Sequence, residues 1–229
     1  MLSLPDLKAV IFDLDDTLYP EHAYVRSGFR AVADWCEIHL GLSSKGAFEV
    51  LDDLFLRGVR GDTFDLLLER FAKPAHHVAD MVRVYRDHTP SIETYPGVPS
   101  FLSQVGSRYR TGLITDGYAE VQRKKLTALA LAPFFDAVVF SDDLGRSFWK
   151  PAPEPFRRAL SLLGVEPAEA VYIGDNPAKD FVGARGAGLA TIQVRWPGAE
   201  YSGRPPPSAE HAPDRAVGDI GDLVRILLP

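Results

Sequence analysis

The chain contains a single cysteine, Cys36, so no intrachain disulfide can form and a reducing compartment is the natural setting. It has no surplus of positive charge. Lys and Arg number 25 against 31 Asp and Glu, a net charge of -6, which argues against a nucleic-acid or anionic-membrane surface as partner. Nowhere does an uncharged apolar run reach the ~20 residues that a membrane-spanning helix needs. The opening stretch "MLSLPDLKAV" lacks the basic segment, apolar core and small-residue cleavage site of a secretory signal. The expectation is a cytoplasmic protein away from membranes. Internal repeats are missing too. The one biased segment is "PGAEYSGRPPPSAEHAP" (Pro197–Pro213), whose Pro, Gly and Ser read as a long exposed loop.

What is present is an ordinary globular composition, 46% hydrophobic and 24% charged over 229 residues. A chain of that length buries roughly 70–75% of its unfolded surface and needs no covalent staples. Short apolar runs recur along it: Ala9–Asp13, Arg110–Thr115, Ala137–Ser141, Ala170–Asp175 and Ala190–Trp196. Helical stretches fall between them, near 97–107, 119–130, 153–163 and 178–187, and "DIGDLVRILLP" closes the chain as another. Continuous apolar strands alternating with helices predict a parallel sheet covered on both faces, an α/β doubly wound fold.

One interval breaks the alternation. From Tyr19 to Ile92 no strand pattern occurs; four helical segments do. In the first, Val25, Phe29, Val32 and Trp35 or Cys36 recur at helical spacing, and Gly41 offers a stop. "ETYPGVP" (Glu93–Pro99) punctuates the return. The predicted organisation is therefore an α/β unit over 1–18 and 93–229 with a helical subdomain at 19–92. Phe29, Trp35 and Phe48 read as that subdomain's core, and His76 and His77 as surface or a helix start.

In an open parallel sheet, ligands bind beyond the carboxyl ends of the strands, and the polar residues of interest fall there. The first strand ends in "DLDD", with Asp13, Asp15 and Asp16; the second in Thr115, Asp116 and Gly117. Lys150 follows the third, and "GDNPAKD", with Asp175 and Asp180, follows the fourth. Like charges packed after a buried strand have two readings: a wet turn, or a site that meets a cation or a phosphoryl group. Each cluster alone fits the first reading. Their order at successive strand ends favours the second.

Taken together, these motifs resemble those of the haloacid dehalogenase-like hydrolase superfamily, in its phosphatase branch with a helical cap inserted after the first strand. "DLDDTL" (Asp13–Leu18) is similar to the first family motif, "LITDG" (Leu113–Gly117) to the second, "KP" (Lys150–Pro151) to the third and "GDNPAKD" (Gly174–Asp180) to the fourth. Many members carry Asn where this chain has Asp116. The resemblance spans residues 9 to about 196 and implies a Rossmann-like core. It implies hydrolysis of a small phosphate monoester with magnesium (Mg2+) through an aspartyl-phosphate. Asp13 would be nucleophile and metal ligand, and Asp15 the general acid and then base. Thr115 would donate to a phosphoryl oxygen, and Lys150 would hold Asp13 in line. Asp175 would bind the metal together with the Asp15 carbonyl, while Asp180 would orient Lys150 or a metal-bound water. Backbone N–H groups near Leu14 and at Asp116–Gly117 would cradle the phosphate.

The chemistry suits these residue types. A carboxylate nucleophile splits one hard displacement into two, and a divalent cation lets an anion approach a dianion. Asp15 favours phosphoryl transfer over dehalogenation, since a halide needs no proton on leaving. A sugar phosphomutase uses the same core residues and stays open as a reading, as does an interaction module that has lost activity. Discrimination of the leaving group falls to the cap, with Arg57 and Arg60 in the glycine-framed "FLRGVRGDTFD" either contacting substrate or lying solvated in a loop. Nucleotides, sugar phosphates and phosphorylated acids all fit as substrates, and these motifs encode neither the ester nor the oligomeric state.

Overall fold

The computed structural model describes residues 6–228. The chain divides into two compact units: one runs to Glu21 and resumes at Glu93, the other is His22–Ile92.

The first unit is built on a six-stranded parallel sheet of β1 (Ala9–Phe12), β2 (Arg110–Thr115), β3 (Ala137–Phe140), β4 (Ala170–Gly174), β5 (Ala190–Val194) and β6 (Arg215–Val217). The strand order is β3-β2-β1-β4-β5-β6, so the chain builds outward from β1 on one side and then returns to build on the other. That reversal opens a crevice beyond the carboxyl ends of β1 and β4. All residues of β1 and β4 are buried, because helices cover both faces of the sheet, and Ile11 lies between Gly112 and Tyr172 in register.

The helices of this unit are α5 (Val98–Gly106), α6 (Ala119–Ala128), α7 (Glu154–Leu163), α8 (Asp180–Gly186) and α9 (Ile220–Leu227), counted after four in the other unit. Helix α7 shows how the core is made. Phe156, Ala159, Leu160 and Leu163 recur at helical spacing and pack against Ile11, Ile114, Val139 and Tyr172. Each large side chain buried in this way contributes roughly 1.5–3 kcal/mol. On the opposite face, Phe12 meets Phe101 of α5 edge to face, with centroids 6.0 Å apart. Asp219 caps α9 by accepting a bond from Asp222 N at 2.8 Å.

The sixth strand was not among the expected ones. In β6 only Val217 is buried, so no apolar run marks it; it is an edge strand held from outside its own sequence. Asp214, just before it, accepts bonds from the Thr191 N–H (2.8 Å) and hydroxyl (2.7 Å) of β5. The stretch 197–213 is largely exposed, as its composition predicts, but it includes a short 3-10 turn at Ala209–His211 and is tied down at its start, as shown below.

The second unit contains α1 (Glu21–Leu40), α2 (Ser44–Leu56), α3 (Thr63–Arg70) and α4 (Val78–Asp87). Its core gathers Phe29, Val32, Cys36, Leu51, Leu67 and Met81, with Trp35 and Phe48 half-buried against them. His76 is exposed and His77 precedes α4 in a 3-10 turn. Among the described residues, no helix is long and apolar enough to cross a membrane.

Candidate active site

The first polar cluster begins where β1 stops. Asp13 N donates to Ile173 O at 2.8 Å, which carries the β1–β4 pairing one residue beyond the strand and aims the next residues over the crevice. The chain then turns sharply at Asp16, whose φ of 50° is left-handed, a conformation that short polar side chains tolerate. Asp16 Oδ1 accepts from Glu21 N (2.8 Å) and Oδ2 from Glu200 N (3.2 Å). The Trp196 indole donates to Thr17 O at 2.8 Å. Thus the third aspartate of "DLDD" is a scaffold that fastens the turn to the start of the Pro-rich loop. Asp16 itself carries no signal in the sequence that separates it from its neighbours.

Lys150 is the centre of a buried knot. Its Nζ donates to Asp13 Oδ1 (2.7 Å), Asp180 Oδ1 (2.8 Å) and the Tyr172 hydroxyl (3.0 Å), and its side chain is 2% exposed. Its backbone N–H is held by Asp116 Oδ1 at 3.2 Å, so the second strand's loop positions the third motif. Asp180 Oδ2 accepts from Asn176 N at 2.8 Å, which closes the loop that opens α8. Gly174 is required there: a Cβ on it would lie 2.5 Å from Asp180 Oδ2. Gly117, at φ 109°, lets the chain reverse after β2. Leu14 is fully buried and its carbonyl accepts from Leu18 N at 3.0 Å.

Oxygens of Asp13, Asp175 and Asp180 lie within 4.8 Å of one another, and all three residues are buried. The electrostatic consequence is direct. Burial, opposed by Lys150 but reinforced by Asp180 and Asp15, pushes the Asp13 carboxyl up to about 7. Burial together with Asp180 and Asp13 pushes Asp175 well above the usual carboxylate range. Burial works against the charged Lys150 ammonium, but Asp13 and Asp180 outweigh it and hold the lysine protonated. Among the described residues, no donor bonds the Asp175 carboxylate, and Asp13 keeps Oδ2 for another partner. Buried oxygen ligands of this kind fit a hard divalent cation such as Mg2+. Asp180, with both oxygens engaged, is the weakest ligand of the three.

Asp15 faces a different set of partners, and these were not anticipated. Lys125 Nζ (2.6 Å) and the Tyr19 hydroxyl donate to Oδ1, while Gln122 Nε2 donates to Oδ2 at 2.7 Å. The same Gln122 nitrogen donates to Thr115 Oγ1, and Thr115 is fully buried at the end of β2. Burial pushes the Asp15 carboxyl up, but the Lys125 charge and the bonds from Lys125, Tyr19 and Gln122 outweigh it and hold it below the usual range. A sequence signal for Gln122 and Lys125 did exist. They sit on the face of α6 that also carries Ala119 and Leu126, where the period calls for apolar residues.

Arg57 and Arg60 belong to the other unit. Arg57 grips Asp53 through Nε (3.1 Å) and Nη2 (2.8 Å) at the end of α2. Arg60 donates from Nη1 to Phe55 O (2.9 Å) and Val59 O (3.0 Å) and lies 4.0 Å over the Phe55 ring. Both are exposed and both have local partners.

Comparison with known proteins is consistent with this geometry. The family model described as haloacid dehalogenase-like hydrolase matches residues 10–194. The glyceraldehyde 3-phosphate phosphatase of Methanopyrus kandleri is 32% identical, over 96% of this chain and 98% of its own. Among solved structures, a putative beta-phosphoglucomutase from Thermotoga maritima has a TM-score of 0.70 at 25% identity, over 97% of this chain and 100% of its own. The putative HAD-hydrolase YfnB of Bacillus subtilis, bound to magnesium, has a TM-score of 0.71 at 20% identity, over 97% and 99%.

Proposed function

We propose, from the premise that this chain belongs to the haloacid dehalogenase-like hydrolases and is a phosphoric monoester hydrolase, that it cleaves a small phosphorylated metabolite through an aspartyl-phosphate on Asp13. The observation that carries the reading is the buried knot of Lys150 with Asp13 and Asp180 beside Asp175. Isolated buried charges are costly, and a protein keeps such a cluster only where the groups are paired with one another or with a ligand.

In this reading Lys150 fixes one oxygen of Asp13, and the other attacks phosphorus. The Thr115 hydroxyl, with backbone N–H groups of Leu14, Asp116 and Gly117, receives the phosphoryl oxygens. Asp15 in its protonated form gives its proton to the departing oxygen, and the resulting carboxylate, the form that Lys125 favours, then takes a proton from the water that hydrolyses the aspartyl-phosphate. Asp13, Asp175 and the Asp15 carbonyl would hold Mg2+, which when bound offsets the repulsion between the carboxylate and the phosphate dianion. Asp180 acts through Lys150. Arg57 and Arg60 are proposed to discriminate leaving groups. The likeness to a putative beta-phosphoglucomutase supports a second reading, in which the phosphoryl group passes to a bound sugar rather than to water.

The test is Asp13→Asn against a panel of phosphorylated metabolites that includes glyceraldehyde 3-phosphate. The variant is expected to fold and to lose nearly all turnover. EDTA should silence the native protein and Mg2+ restore it. Turnover that survives both treatments would remove the proposed mechanism, and phosphoryl transfer to a sugar at the expense of free phosphate would select the mutase.

A further inference from the structure

Resting on the phosphatase reading above, we infer that Gln122 and Lys125 of α6 are positioning residues for the two groups that handle protons and phosphoryl oxygens, Asp15 and Thr115. The argument begins with what each atom can do. An ionised carboxylate only accepts hydrogen bonds, so the Gln122 atom 2.7 Å from Asp15 Oδ2 must be its amide nitrogen. That same nitrogen also contacts Thr115 Oγ1, so the threonine oxygen is the acceptor in this pair. The Thr115 hydroxyl proton is therefore left free to point away from Gln122 and to be donated elsewhere. A phosphoryl oxygen at the end of β2 is the acceptor that this arrangement prepares.

Lys125 completes the device. Its ammonium, 2.6 Å from Asp15 Oδ1, is almost wholly buried, as is Gln122. With the Tyr19 hydroxyl on the same oxygen, the carboxylate of Asp15 is held from three directions. A single turn of one helix thus sets the angle of the Asp15 carboxylate and the direction of the Thr115 proton. Gln122 bonds both Asp15 and Thr115, and Lys125 bonds Asp15, which gives each a direct route to turnover through those two groups.

The experiment is a pair of double-mutant cycles, Lys125→Met and Gln122→Met, each in the native and in the Asp15→Asn background. 4-Nitrophenyl phosphate serves as substrate, because its leaving group needs no proton and keeps the Asp15→Asn rates measurable. In the native background Lys125→Met is expected to lower kcat by about 10- to 100-fold, less than the roughly 10²–10⁴-fold of a whole proton-transfer contribution because Asp15 itself stays, with KM changed by less than about twofold. In the Asp15→Asn background the same substitution should cost nothing further. Gln122→Met should lower kcat in both backgrounds, the residual loss reporting the misdirected Thr115 hydroxyl. Removing Lys125 alone leaves a buried carboxylate uncompensated, and the Asp15→Asn/Lys125→Met protein, which lacks both charges, keeps the comparison open if the single variant unfolds. Melting curves of every variant accompany the kinetics. An equal loss from Lys125→Met in both backgrounds, or no loss in either, would overturn its assignment. A Gln122→Met effect that disappears with Asp15→Asn would overturn the Thr115 half. An Asp15→Asn enzyme as fast as the native one on this ester would instead remove the general-base role of Asp15, the part of the phosphatase reading on which the inference stands.

Discussion

Replacing Lys150 by Met removes the only cation bonded to the Asp13 and Asp180 carboxylates among the described residues, from a position that is 2% exposed. Breaking a buried pair in this way costs about 3–5 kcal/mol, because the partner charge remains without compensation. For a chain of this size that is a fall in Tm of roughly 6–20 °C, at about 2–4 °C per kcal/mol. The loss should depend on pH, and its sign follows from Asp13. The folded carboxyl is already pushed up to about 7 from an ordinary 3.8, so the folded state binds this proton more tightly than the unfolded state does. Stability from this group is therefore fully present below about pH 4 and is lost as pH rises through about 7. Removing Lys150 deletes the influence that holds Asp13 down, which raises it further and deepens the loss on the alkaline side. Calorimetry in EDTA should show a larger fall in Tm at pH 8 than at pH 5, with Mg2+ at pH 8 recovering part of it. A fall of equal size at both pH values, or a larger one at pH 5, would refute the assignment of charge in this cluster.

Arg60→Ala tests discrimination by the helical unit: losing a charge-assisted hydrogen bond to the leaving group should cost about 1.5–3 kcal/mol, roughly ten- to hundredfold in kcat/KM for the preferred ester, and little with an aryl phosphate. Equal losses on both esters would mean that Arg60 serves only its own loop through Phe55 and Val59. Cys36 is fully buried and burial pushes its thiol up to about 11, so Ellman's reagent at pH 8 should react at least about a hundredfold more slowly with native than with denatured protein. Fast labelling of native protein would show that the core of α1 to α4 opens readily.

Much of the architecture was legible because its physical signals are local. The runs at Ala9–Phe12 and Ala170–Gly174 are apolar throughout, since both faces of the sheet are covered, and the helices between them carry 3.6-residue periodicity. Asp13, Lys150, Asp175 and Asp180 stood out because charged residues at the ends of buried strands contradict their surroundings. The edge strand Arg215–Val217 could not be read in this way, since its pairing comes from β5 and its anchor, Asp214, bonds Thr191 across 23 positions.

The sequence by itself determined the succession along the chain of the first five strands and the helices between them, and which charged residues stand at strand ends. Tertiary structure alone decided how the three aspartates of "DLDD" divide. Asp13 turns to Lys150, 137 positions away; Asp15 turns to Lys125, 110 positions away; Asp16 turns to the loop at Glu200, 184 positions away. Neighbours along a chain share composition and local conformation, but their electrostatic environment is set by whichever distant side chains the fold brings within about 3 Å.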